Sequence, residues 1–269
     1  MKPAVKSNSF KTLTLENPES HIAVLTLKRP EVLNALNTDM MRELRDIFTE
    51  FYINQSDYRV LVLTGCGERS FCSGGDLKER QGMTDSEWRQ QHALLEQMIR
   101  AALLCPIPVI AAVNGSCYGG GLEIALTCDF AFASTTASFG FPEGRVGIMP
   151  GAAGTQNLVR ACGVRRAKEI VLTGLPFSAA DANDWGVVNK VCEPAQLMDH
   201  TLTAARSICE LAPVSAMQIK KSLDVATHSD VMTGFAFEIE AYNRTIPMAD
   251  RQEGINAFNE KRKPEFTGS

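Results

Sequence analysis

Pro108-Val109-Ile110-Ala111-Ala112-Val113-Asn114-Gly115-Ser116-Cys117-Tyr118-Gly119-Gly120-Gly121-Leu122-Glu123 is the stretch on which the reading of this chain turns. Its first six residues are apolar and partly β-branched, as in a buried strand, and Asn114-Gly115 stops them. The glycine triplet follows, and Leu122 to Thr127 then reads as a helix. Glycines let the backbone turn tightly and let a ligand approach main-chain amides. Amides at a helix start lack an intrahelical acceptor, so they are available to negative charge.

The same alternation extends on both sides. His21 to Leu27 is a strand candidate ended by Lys28-Arg29-Pro30, and Tyr58 to Thr64 is a second one ended by Gly65. Between them Met41, Leu44, Ile47, Phe48 and Phe51 recur at helical spacing, which predicts a helix over Thr38 to Phe51. Thr84-Asp85-Ser86-Glu87 has the form of a capping box opening a helix to about Leu104. Cys128 to Ser134 and Ser138-Phe139-Gly140 are further strand candidates. Strands alternating with helices predict an α/β fold. After about residue 190 the pattern turns helical, over Ala195 to Glu210, Val214 to Ala226, Asp230 to Asn243 and Ala249 to Lys261. This change places a soft boundary near residues 195–200. No internal repeat interrupts the chain.

Composition narrows the function classes. Of 269 residues, 45% are hydrophobic and 22% charged, which suits a folded globular protein rather than a disordered binding segment. The formal charge of −4 argues against an extended nucleic-acid surface. Lys261-Arg262-Lys263 is a compact basic run, read either as a solvated face or as a phosphate contact. Eight cysteines without a CxxC pair fit free thiols in a reducing compartment. The first twenty residues carry no apolar leader, and no apolar run reaches the ~20 residues of a membrane helix. A cytoplasmic protein is the expectation.

The chemistry points to Phe71-Cys72-Ser73-Gly74-Gly75-Asp76-Leu77 and to the glycine triplet. Two amides from separate segments can form an oxyanion hole around one carbonyl oxygen, although two tight turns account for the glycines equally well. Glu123 stands two residues beyond the triplet and Glu143 twenty further on, in Phe139-Gly140-Phe141-Pro142-Glu143. An ordinary first-turn helix residue and a loop glutamate are the bland alternatives. Dinucleotide fingerprint, phosphate loop, HExxH and GxSxG patterns are all missing, so nicotinamide, metal and serine-triad chemistry are poor readings and no metal is expected. Ser73 and Cys72 have no neighbouring base in the sequence and read as wall or core residues.

Taken together, these motifs resemble those of the crotonase, or enoyl-CoA hydratase/isomerase, family. The resemblance rests on Arg29-Pro30…Leu33-Asn34-Ala35-Leu36, Ser73-Gly74-Gly75-Asp76-Leu77, Asn114-Gly115…Gly119-Gly120-Gly121…Glu123, Pro142-Glu143…Pro150-Gly151…Gly154 and Glu253-Gly254…Lys261-Arg262. It implies a spiral of ββα units over residues 1–197. Over 198–269 it implies a helical region for oligomerisation and active-site cover, in a homotrimer or a dimer of trimers. It implies oxyanion donors at Gly75 and Gly120 and catalytic glutamates at Glu123 and Glu143. Coenzyme A contacts would come from Arg29, Ala35, Ser73, Asp76, Leu77, Lys78 and Lys261, with coenzyme A part of the substrate and no separate cofactor. Having both glutamates favours water addition to 2-enoyl-CoA thioesters. Isomerisation, lyase or hydrolase chemistry on branched or aromatic acyl groups, and a non-catalytic scaffold, are the alternatives. Trp88, Met98 and the stretch from Phe141 to Met149 are candidates for shaping the acyl pocket.

Overall fold

Short strands alternate with helices, and the alternation winds the chain between two sheets. The computed structural model describes residues 10–54 and 57–269. Residues 1–9, where part of the leaderless start was read, lie outside this description. The chain opens with β1 (Leu13–Glu19) and β2 (Ile22–Leu27), an antiparallel hairpin, and continues into α1 (Thr38–Ile53). Then come β3 (Val60–Gly65), β4 (Ser70–Cys72), α2 (Leu77–Arg80) and α3 (Asp85–Leu103). The central stretch forms β5 (Val109–Val113), β6 (Ser116–Tyr118) and α4 (Gly120–Ala125), followed by β7 (Phe130–Ser134), β8 (Ser138–Gly140) and α5 (Gly154–Thr173). A smaller segment holds β9 (Phe177–Ser178), α6 (Ala179–Asp184) and β10 (Lys190–Cys192). Four helices complete the chain: α7 (Leu197–Cys209), α8 (Pro213–Ala226), α9 (Val231–Asn243) and α10 (Ala249–Glu260).

The larger sheet has the order β1-β2-β3-β5-β7-β10 and the smaller β4-β6-β8-β9. From β2 onward the larger sheet is parallel, in keeping with strands buried on both faces. Three times the chain leaves the larger sheet, turns, and enters the smaller one: β3 to β4, β5 to β6, and β7 to β8. A helix follows each time, which is the expected ββα spiral.

The turns work because side chains are missing where backbones meet. A Cβ on Gly65 would stand 2.4 Å from the Ser70 carbonyl oxygen, and one on Gly115 2.4 Å from the Arg69 carbonyl carbon. Asn114 clamps the first turn, its Nδ2 donating to the Gly65 and Gly67 carbonyls at 2.9 and 2.6 Å. Asn34 clamps the same turn, donating to the Cys66 and Ser70 carbonyls while accepting from the Arg29 amide. These side chains satisfy backbone groups that the short strands leave unpaired.

Helix α4 reaches the smaller sheet at van der Waals contact. A methyl on Gly121 would lie 2.2 Å from the Cys72 carbonyl oxygen and 2.8 Å from the Cys72 Cβ, both held by β4. Gly121→Ala is therefore expected to destabilise the protein by about 3 kcal/mol through overpacking. A Tm drop of roughly 6–12 °C would report it, and an unchanged Tm would mean that α4 and β4 have room to separate.

Several expectations needed adjustment. Strand β1, the three-residue strands β4 and β6, and helix α5 were not read from the sequence. Helix α5 is two helical pieces joined at Gly163, where φ is +75°, and such a break conceals a single period. The boundary at residues 197 and 198 falls at the start of α7. That helix packs Leu197, Leu202, Ala205 and Ile208 onto Ile22, Val24, Val60, Val62 and Ile110 of the larger sheet. The change in packing therefore comes after α7. Helices α8 and α9 each bury a single residue and α10 buries two. Val231, Met232, Phe235, Tyr242 and Phe258 stand exposed on α9 and α10. No helix among the described residues is long and apolar enough to cross a membrane.

Candidate active site

The two glycine motifs sit side by side at the ends of adjacent parallel strands. Ser73-Gly74-Gly75 leaves β4 and Gly119-Gly120-Gly121 leaves β6, and these strands pair directly. Gly74 has φ of +95° and Gly119 has φ of +52°, conformations that a side chain would strain. A Cβ on Gly120 would lie 3.8 Å from the Gly75 nitrogen, and one on Gly74 would lie 3.4 Å from the Gly120 nitrogen.

Both amides are unengaged for definite reasons. Leu36 bridges the first motif by donating to the Gly74 carbonyl and accepting from the Asp76 amide, which leaves the Gly75 N–H pointing away from that bridge. Gly120 is the first residue of α4, so its N–H has no acceptor one turn earlier. Among the described residues neither N–H meets a protein acceptor, and both glycines line one cavity of about 580 Å³.

Glu123 and Glu143 line the same cavity. Glu123 is 2% exposed, and its Oε1 accepts from the Ala152 and Gly154 amides at 2.7 and 3.0 Å. Burial raises its pKa, while those two amides and the charges of His92 and Arg80 draw it back. With Oε1 held from behind, Oε2 has no hydrogen bond among the described residues. Glu143 begins a short 3-10 turn after Pro142, and its Oε1 would stand 2.8 Å from a Cβ on Gly119. Its Oε2 is buried without a partner among the described residues. Burial, supported by the nearby charge of Glu123, pushes the Glu143 carboxyl up to about 7 against the pull of its own amide. A half-protonated acid near neutral pH beside two unengaged amides is suited to proton transfer at a carbon next to a carbonyl.

Other expected contacts are distributed differently. Ser73 and Leu77 line the cavity, whereas Arg29, Ala35, Asp76, Lys78 and Lys261 do not. The Arg29 guanidinium is held by Asp76 at 2.9 Å and by the Ala35 carbonyl at 2.7 Å. Asp76 also caps α2 by accepting from the Lys78 and Glu79 amides. Burial raises the Asp76 pKa, but Arg29 and these amides outweigh it and hold the carboxyl below its usual range. Arg29, Ala35 and Asp76 thus brace the first glycine motif from behind. Lys78 is exposed on α2, and Lys261 is exposed where it caps α10 with φ of +55°. Met98 and Phe141 lie in the apolar core instead of facing the cavity, but Trp88, Val146, Ile148 and Met149 line it. Arg80 and His92, neither of them singled out from the sequence, also line the cavity. Helix α3 brings His92 against Gly151, where a Cβ would stand 2.6 Å from its Cε1.

The enoyl-CoA hydratase/isomerase family model matches residues 17–269. The chain belongs to the enoyl-CoA hydratase/isomerase family. It is 40% identical over 247 residues to the short-chain-enoyl-CoA hydratase of Clostridium acetobutylicum, covering 92% of this chain and 94% of that protein. It is 35% identical over 258 residues to the crotonyl-CoA hydratase of Syntrophomonas wolfei, covering 96% and 98% of the two chains. The crystal structure of an enoyl-CoA hydratase from Bacillus anthracis superposes with a TM-score of 0.94 at 36% identity, covering 96% of this chain and all of that one. Membership of this family joins the spiral fold to the cavity with its paired amides and carboxylates.

Proposed function

We propose that this enzyme reversibly adds water across the 2,3 double bond of 2-enoyl-CoA thioesters to give 3-hydroxyacyl-CoA. The observation that carries this reading is the convergence of two unengaged amides and two half-buried or buried carboxylates on one cavity. The thioester oxygen lies between the Gly75 and Gly120 N–H groups, which favour the enolate-like transition state. A single well-placed donor of this kind contributes about 3–4 kcal/mol.

Glu123 orients a water through Oε2, since Oε1 is held by two amides. The water oxygen bonds to C3, the double-bond electrons move toward the thioester, and a proton from Glu143 closes the bond to hydrogen at C2. The proton released by the water returns to the carboxylate pair, so the site is unchanged after one turnover. Because the two carboxylates interact, their titration belongs to the pair. Coenzyme A enters as part of the substrate and no further cofactor takes part.

The second carboxylate favours hydration over isomerisation, because moving a proton between C2 and C4 needs only one. Crotonyl-CoA turned over in ¹⁸O-water is expected to give 3-hydroxybutyryl-CoA labelled at C3. Double-bond migration without label would favour the isomerase reading, and free coenzyme A would favour a hydrolase.

The exposed apolar residues of α9 and α10 suit burial between copies of the chain, in the homotrimer or dimer of trimers implied by the resemblance. Eight free cysteines suit a reducing, cytoplasmic setting.

A further inference from the structure

Arg80, the last residue of α2, is a half-buried cation on the cavity wall. Its guanidinium is fixed on several sides. Cζ lies 4.6 Å from the centre of the Trp88 ring. A methyl on Gly75 would stand 3.2, 3.3 and 3.4 Å from Cζ, Nη1 and Nη2, so the guanidinium lies with its face against that glycine. Nε donates to Gln91 Oε1 at 2.7 Å. Gln91 is buried and held in turn, its Nε2 donating to Thr38 Oγ1 at 2.9 Å and Glu79 Oε2 at 2.7 Å. Glu79 is itself anchored by the Thr38 amide at 2.9 Å.

All these contacts engage Nε and the faces of the group. Among the described residues neither Nη1 nor Nη2 donates a hydrogen bond, and no carboxylate lies within ion-pair distance of Arg80. The neighbouring cations differ. Arg145 donates to the Thr173 and Gly174 carbonyls, Arg89 is an exposed partner of Asp85, and His92 faces Glu96. The cavity that Arg80 lines also carries Leu36, Met41, Leu95, Ile148 and Met149, besides Glu123 and Glu143. A guanidinium locked in place on the wall of a cavity, with both outer nitrogens still to be satisfied, matches a carboxylate through two parallel hydrogen bonds.

We propose that Arg80 is a specificity residue that reads a second carboxylate on the acyl group, so that the preferred substrates are short 2-enoyl thioesters ending in a carboxylate. The inference rests on the placement of the thioester oxygen at Gly75 given above. Arg80 packs on that same glycine, so the second carboxylate stands only a few bonds from the thioester carbonyl. A long linear acyl chain would instead leave the two Nη groups facing hydrocarbon, which is unfavourable for buried donors.

The test compares glutaryl-CoA with pentanoyl-CoA by calorimetric titration. Both are saturated thioesters with a five-carbon acyl group, and they differ in a terminal carboxylate against a methyl. The wild-type enzyme is expected to bind glutaryl-CoA at least about tenfold more tightly. Arg80→Met should abolish or reverse that ratio, and Arg80→Lys, which keeps the charge without the fork, should restore it only in part. Equal affinities in the wild type, or tighter binding of pentanoyl-CoA, would overturn the proposal, and that comparison needs no variant to fold. An equal loss for both ligands in Arg80→Met would overturn it too, assigning Arg80 to the coenzyme A moiety or to the positioning of Glu123. Binding of saturated ligands involves no chemistry. If no 2-enoyl thioester is hydrated while the glutaryl preference stands, the hydratase reading fails and the Arg80 assignment survives.

Discussion

Glu143→Gln is expected to lower kcat for crotonyl-CoA hydration by about 10³-fold, with KM nearly unchanged. Glutamine keeps the size and planarity of the side chain, so the 3-10 turn after Pro142 and the contact with Gly119 persist. It cannot deliver a proton to C2. The burial that pushes the carboxyl up to about 7 also gives the variant an independent signature. In the wild type the unfolded chain releases this proton near its ordinary value of 4.5, while the folded protein holds it until about 7. The folded state binds the extra proton between those values, so this group's contribution to stability is complete below pH 4.5 and is lost as pH rises to 7. Glutamine does not titrate. The Tm of Glu143→Gln relative to wild type should therefore rise between pH 5 and pH 8. Pre-steady-state mixing with crotonyl-CoA reads the kinetic effect and calorimetry reads the thermal one. Near-normal hydration would remove Glu143 from the chemistry, and a pH-independent Tm difference would show that its carboxyl is not held neutral by the fold.

A pair of substitutions at Glu123 separates its two duties. Glu123→Gln retains an oxygen for the Ala152 and Gly154 amides and replaces only the unengaged Oε2 with an NH₂ group. Turnover should fall by about 10²-fold or more while the fold holds. Glu123→Ala removes the acceptor altogether and leaves two buried amides without partners, each costing about 1–3 kcal/mol. It also empties the space beside Gly154, where Glu123 Oε1 stands 2.7 Å from a Cβ position. Its Tm should drop by roughly 10 °C in addition to the lost activity. If both variants melt like the wild type, the carboxylate does not brace the segment from Gly151 to Gly154. If glutamine restores activity, the water is activated elsewhere.

Much of the scaffold was legible because it repeats over distances that side-chain periodicity can report. Helix α1 showed itself through Met41, Leu44, Ile47, Phe48 and Phe51, all buried in the structure. Helix α3 showed itself through Thr84 and Glu87, which do form the reciprocal capping box. The smaller sheet was less legible. Strands β4 and β6, which went unread, have three residues each, too few for an alternation to emerge. Their glycine-rich exits drew attention as possible ligand loops, and in the structure they are also the ends of strands.

Arg80 shows where sequence reading stops. The residues that fix it, Trp88 and Gln91, lie eight and eleven positions later on a different helix, beyond a turn through Gly82. No local pattern relates them, so nothing in the sequence singled out Arg80. Arg29 is implied by the family resemblance as a coenzyme A contact, and only the structure shows that Asp76 and the Ala35 carbonyl also engage its guanidinium within the scaffold.

By itself, the amino-acid order determined the alternation of strands and helices and the two glycine runs, because local sterics and hydrophobic period act between near neighbours, while the two glutamates stood out only through the family resemblance. Only the tertiary structure decided that the two amides line one cavity, that Glu143 is buried beside them, and that Arg80 lines the same cavity. Those properties depend on distances and solvent exclusion between segments that local periodicity does not relate, which folding alone establishes.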